Sequence, residues 1–144
     1  MMGALPLTAV ILAGGKSRRM GCDKALLPMG ESTILENLVA LVFTLFGEVL
    51  IVVHDKEKFS GLDFGGAKIC TDILKDRGPL GGIYTGLFYS THRAGCVLTC
   101  DMPGVDAALL LELLEEWKAS YDLMGECCSD VFCFEEPGRP HQPF

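Results

Sequence analysis

The chain has 144 residues, 49% of them apolar, and a formal net charge of −7. That is the size of one ordinary domain with enough apolar matter for a core, which excludes a disordered segment. The acidic balance excludes a general nucleic-acid binder, because such proteins present a basic surface.

The first element is "LTAVILA", Leu7 to Ala13, a continuous and partly β-branched apolar run ending on Gly14 and Gly15. This is the pattern of a strand buried on both faces. No basic residue precedes it, no small-residue cleavage site follows it, and it is too short to span a bilayer, so it is read neither as a leader nor as a membrane segment. Thr33-Ile34-Leu35-Glu36 has the form of a capping box. Leu38, Leu41, Val42 and Leu45 then recur at helical spacing, with Gly47 as the expected stop. "EVLIVVH", Glu48 to His54, predicts a second buried strand, and "AKIC", Ala67 to Cys70, a shorter third. Pro79 opens a helix over "PLGGIYTGLFYST", in which Gly81, Gly82 and Gly86 lower the propensity and call for a packing reason. "GCVLTC", Gly95 to Cys100, predicts a fourth strand, and Asp106 caps a helix with Leu109, Leu110, Leu113, Leu114 and Trp117 on one face.

Strands alternating with helices predict an α/β fold, a three-layer sandwich around a mainly parallel sheet. Ligands bind such sheets beyond the carboxyl ends of the strands. Those ends carry Gly14-Gly15, His54, Asp72 and Asp101.

The seven cysteines sit in apolar runs without regular spacing, which favours reduced thiols over a disulfide framework. Cys127, Cys128 and Cys133 lack the CxxC knuckle of a zinc site. The loop "GGKSRRMGCDK" gathers Lys16, Arg18, Arg19 and Lys24 behind a glycine pair. It is not a Walker A loop, since Val10 stands where the first glycine is required, and no G-x-G-x-x-G is present. What remains is a buried strand, a glycine turn that lets a ligand approach the backbone, and a cluster of forked and point charges. A polyphosphate fits that combination. Asp101, ending "CVLTC" ahead of Pro103, is the expected Mg²⁺ carboxylate opposite it.

"LAGGKSRRMGCDKALLPMG", "TDILKDRGPLGGIYTGL" and "CDMP" together resemble the molybdenum cofactor guanylyltransferases, a branch of the Rossmann-like nucleotidyltransferase fold. The resemblance implies transfer of GMP from GTP to the terminal phosphate of molybdenum cofactor (molybdopterin), with release of pyrophosphate. It implies GTP contacts by Leu12, Ala13, Gly14, Gly15, Arg19, Lys24, His54, Asp72, Gly78, Pro79, Leu80 and Asp101. Lys24, Arg18 and Asp101 are then the catalytic group, Asp101 holds Mg²⁺, and "GPLGG" lines the base pocket.

The reduced thiols and the lack of a leader or membrane segment predict a cytoplasmic protein, and the acidic charge one that binds no nucleic acid. The resemblance adds small-molecule substrates and cofactor-delivering proteins as partners. His54 stands where the family usually has asparagine. The expected organisation is a single nucleotidyltransferase domain over 1–144. Its nucleotide-binding half runs from about 5 to 120, and its acceptor-side half, 121–144, is short against the family pattern. The rival readings are a cytidylyltransferase or a sugar-phosphate nucleotidyltransferase of the same fold, and a nucleotide-binding protein without catalysis.

Overall fold

The computed structural model describes residues 5–14, 24–100 and 105–124; of Lys24 and of residues 120–124 it describes the backbone alone. The chain divides into two compact units, residues 1–104 and 105–144.

In the first unit, β1 (Leu5–Leu12), β4 (Phe46–Val53), β5 (Lys68–Thr71) and β6 (Gly95–Thr99) form a sheet of order β5-β4-β1-β6. Every pairing in it is parallel. Two helices, α1 (Ile34–Phe43) and α2 (Gly78–Tyr89), connect strands of this sheet. The chain steps outward from β1 through α1 to β4 and β5, then returns through α2 to β6. Right-handed crossovers running in opposite directions put their helices on opposite faces, which is the predicted α/β layering. The reversal of direction falls beside β1, so the carboxyl ends of β1 and its neighbours form the crevice where such folds bind ligands.

The central strands are buried on both faces, as their unbroken apolar runs require. Ala9, Val10, Ile11, Leu50, Ile51 and Val53 have no exposed surface. Each large side chain among them contributes about 1.5–3 kcal/mol by leaving water. The Thr33 capping box forms as expected: Glu36 N–H donates to Thr33 Oγ1 at 3.2 Å, and Thr33 N–H donates to Glu36 Oε2 at 2.7 Å.

Two features differ from the sequence pattern. Gly47 does not stop α1; it is the second residue of β4, and the helix ends at Phe43 with Thr44 as its cap. A Cβ at Gly47 would lie 2.9 Å from the Leu5 carbonyl oxygen, so its role is close approach of β1. Between β1 and α1 the chain also forms a small antiparallel hairpin, β2 (Pro28–Met29) with β3 (Ser32–Thr33), that the apolar pattern did not indicate. Gly30, at φ +70°, makes its turn possible.

The amino edge of the sheet is tied by one carboxylate. Glu48 Oε2 accepts from Thr8 Oγ1 at 2.7 Å, from Thr91 N–H at 2.9 Å and from Thr91 Oγ1 at 3.0 Å, while Lys68 Nζ stands 3.7 Å from Oε1. β1, β4, β5 and the loop after α2 are thereby joined at the end opposite the crevice.

The second unit, by itself, contains α3 (Ala107–Met124), longer than the stretch the sequence pattern marked. Asp106 caps it as expected, with Leu109 N–H donating to Asp106 Oδ1 at 2.8 Å. Among the described residues, no helix is long and apolar enough to cross a membrane.

Candidate functional site

Three strand ends meet in one shallow cleft. Leu12 and Gly14 come from the end of β1, Val52, Val53 and His54 from β4, and Asp72 follows β5; Gly78, Pro79 and Gly82 of α2 close the side. Ala13 is buried and is not among the lining residues; its N–H donates to the Val52 carbonyl at 2.9 Å. Leu80 is 74% exposed and is not among the lining residues. Gly15, Arg18, Arg19 and Asp101 lie outside the described residues, as does the Cys127-Cys128-Cys133 cluster. The backbone of Lys24 opens a 3-10 turn, Lys24–Leu26.

Asp72 is buried at 5% exposure and is fixed from several sides. Its backbone N–H continues the β4–β5 ladder to the Val53 carbonyl at 2.9 Å. Its Oδ1 accepts from Leu74 N–H at 3.0 Å and lies 3.0 Å from Thr85 Oγ1. Thr85 is itself fully buried, accepts from Ile73 N–H at 3.0 Å, and sits 2.9 Å from the Gly81 carbonyl. The second oxygen, Asp72 Oδ2, stands 3.9 Å from His54 Nδ1. That is too long for a hydrogen bond and is an ion-pair distance only when the imidazole is protonated. A carboxylate held this firmly, with one oxygen already bonded, is suited to receive N–H donors from a flat heterocycle on the other.

The glycines around the cleft are explained by what a Cβ would meet. At Gly14 it would lie 2.9 Å from His54 N and 3.0 Å from His54 Cδ2. At Gly81 it would lie 2.6 Å from the Leu74 carbonyl oxygen, and at Gly82 2.8 Å from Leu12 Cδ2. At Gly86 it would overlap Val10. The small residues of α2 therefore serve its close seating on β1 and on the loop after β5. Of the three, only Gly82 lines the cleft.

The loop leading into α2 passes through two left-handed residues, Asp76 and Gly78, both at φ 62°. It delivers α2 with no side-chain cap on its first turn and with Pro79 lacking an N–H. The uncapped N-terminus leaves partial positive charge beside the cleft, which favours an anionic or electron-rich ligand.

Among the described residues, no three His, Cys, Asp or Glu side chains converge on a point. A Mg²⁺ ion needs no such protein cage, since it is commonly held by one or two carboxylates with phosphate oxygens and water. Burial pushes the Cys96 thiol on β6 up to about 11, so it is protonated near neutrality.

The family model described as the MobA-like NTP transferase domain matches residues 9–144. The chain belongs to that family. Among its curated relatives, a Peptoclostridium acidaminophilum protein named "Probable molybdenum cofactor guanylyltransferase" is 32% identical over 138 residues, 95% of this chain and 59% of the relative. A Methanosarcina mazei protein of the same name is 42% identical over 123 residues, 80% of this chain and 54% of the relative. The solved structure of molybdopterin-guanine dinucleotide biosynthesis protein A from Archaeoglobus fulgidus shares the fold at TM-score 0.60 and 24% identity, over 79% of this chain and 57% of that one. This MobA-like chain thus spans a little over half the length of the relatives it matches.

Sequence reasoning missed Val52 and Val53 as cleft residues and Thr85 as the support of Asp72, while it did place Gly82, within "GPLGG", at the pocket. A threonine between glycines inside an apolar helix, "GGIYTG", was the available signal for Thr85.

Proposed function

We propose that the cleft binds GTP, and that this chain carries the nucleotide half of a molybdenum cofactor guanylyltransferase. The observation that carries the reading is the convergence of Gly14, His54 and Asp72, from three separate strand ends, on one cleft beside the N-terminus of α2. Asp72 would accept the N–H donors that guanine presents and cytosine lacks in that arrangement. Gly14 would let the nucleotide approach the backbone, and Gly78 and Pro79 would flank the base.

The basic residues Arg18, Arg19 and Lys24 would hold the triphosphate, with Gly15 offering its backbone N–H to it. Asp101 would hold Mg²⁺ together with phosphate oxygens; when bound, the ion supplies charge neutralisation on the triphosphate. In the reaction, an oxygen of the terminal phosphate of molybdopterin forms a bond to the α-phosphorus of GTP. The bond from that phosphorus to the bridging oxygen breaks, and the electron pair leaves with pyrophosphate. The protein's part is alignment and stabilisation of developing charge. Such an enzyme would work in the cytoplasm, taking molybdopterin from the proteins that deliver it.

The test is pyrophosphate release from GTP in the presence of molybdopterin. Release that requires both substrates and Mg²⁺ supports the reading. Release supported equally by CTP, or by a sugar phosphate in place of molybdopterin, would assign the chain to another reaction of the same fold.

A further inference from the structure

Helix α2 has two sides of different chemistry. Gly81, Gly82, Thr85 and Gly86 are buried on one side. On the other, Leu80, Tyr84, Leu87 and Phe88 are 74, 49, 55 and 63% exposed. Their spacing of four, seven and eight residues puts them on one stripe. Tyr84 and Phe88 stack with ring centroids 6.2 Å apart, and Phe88 meets Tyr89 edge-on at 5.2 Å. No residue from Gly78 to Tyr89 is charged. A surface helix ordinarily turns charged side chains outward, so this apolar outer face needs a reason.

We propose that the outer face of α2 docks a second copy of this chain, helix against helix about a two-fold axis. Size is the first argument. These side chains with Tyr89 expose about 500 Å² of largely apolar surface, toward the upper end of the largest patch on an ordinary monomer. Doubled by symmetry, that gives about 1,000 Å², the area a specific interface has to clear.

Charge is the second argument. A two-fold interface brings each residue near the axis against its own copy, so any charge there would face a like charge. The chain carries −7 overall, yet this helix carries none. The face offers nothing for a charged partner to pair with, and its uncharged aromatic composition is that of an interface core. The cleft lies at the N-terminal end of α2, and Leu87 and Phe88 lie at the other.

The experiment is sedimentation velocity of the 144-residue chain from about 1 to 200 μM, a range that resolves micromolar association. The expected result is a monomer-to-dimer shift with concentration. Leu87→Glu and Leu87→Lys should each weaken dimerisation at least tenfold, and an equimolar mixture of the two should recover it. Circular dichroism melts establish that each variant is folded. If a variant fails to fold, the concentration dependence of the unaltered chain together with Phe88→Ser decides. A chain that stays monomeric over the whole range would overturn the proposal and assign the face to a different occupant. Dimers unaffected by the substitutions, or a mixture that remains monomeric, would overturn it as well.

Discussion

Thr85 Oγ1 and Asp72 Oδ1, 3.0 Å apart and both buried, join the middle of α2 to the end of β5. This contact fixes a buried carboxylate of the cleft, and Thr85 also receives the Ile73 N–H. Thr85→Val keeps the shape but leaves Asp72 short of a donor and Ile73 short of an acceptor. A loss of about 1–3 kcal/mol is expected in denaturant unfolding, together with weaker GTP binding. Thr85→Ser should restore most of both. Unchanged stability and affinity in the valine variant would remove Thr85 from the account.

Gly86→Ala separates propensity from packing. In a solvated helix the change would add about 1 kcal/mol of stability. Here the new Cβ would overlap Val10 Cγ1 and lie 2.8 Å from its Cγ2, and a β-branched neighbour in a central strand cannot turn aside easily. The packing cost of about 1–3 kcal/mol should win. A lower denaturation midpoint is the predicted outcome; a higher one would mean that α2 is seated more loosely than described.

Much of this architecture was legible beforehand. The unbroken apolar runs of β1 and β4 and the two caps, Thr33 and Asp106, have strong local causes and were read correctly. Other features have causes that are not local. Gly47 looked like a helix stop because nothing near it in sequence reveals the Leu5 carbonyl that demands a glycine there. The β2–β3 hairpin pairs only two residues on each strand, too few to show a period. His54 and Asp72 stand out in the sequence because strand ends are where α/β folds place ligands, and both line the cleft. Thr85 escaped because its partner lies 13 residues away and its own neighbours signal only helix.

Glu48 makes stability depend on pH. Burial alone would raise its pKa, but the Thr91 N–H, the hydroxyls of Thr8 and Thr91, and the Lys68 ammonium outweigh it and hold the carboxyl below its ordinary value of 4.5. With the folded pKa depressed, the contribution is fully present above the unfolded value and is lost as pH falls through the folded one. Glu48→Gln should therefore cost about 1–3 kcal/mol near neutral pH, and the gap to the unaltered chain should narrow as pH falls below 4.5 and close once it has fallen through the lowered folded pKa. Denaturant midpoints for both proteins across that range give the comparison. A gap independent of pH would show that the charge of Glu48 is immaterial.

The basic loop gives a prediction that rests on its sequence. Lys24→Ala should weaken GTP binding about tenfold or more, the scale of one charge-assisted phosphate contact. Asp101→Ala should remove the Mg²⁺ dependence of turnover. Both are read by titration and pyrophosphate release, with circular dichroism to establish folding. An unchanged GTP affinity in the lysine variant would detach this loop from the phosphates.

The cleft formed by Gly14, His54 and Asp72 is proposed as a guanine nucleotide site. Calorimetric titration of the 144-residue chain with GTP and then with CTP, each with Mg²⁺, tests it most directly. The expected result is one GTP bound per chain and CTP weaker by about tenfold or more, the scale of losing one or two buried hydrogen bonds. Equal binding of the two nucleotides, or binding of neither, would contradict it.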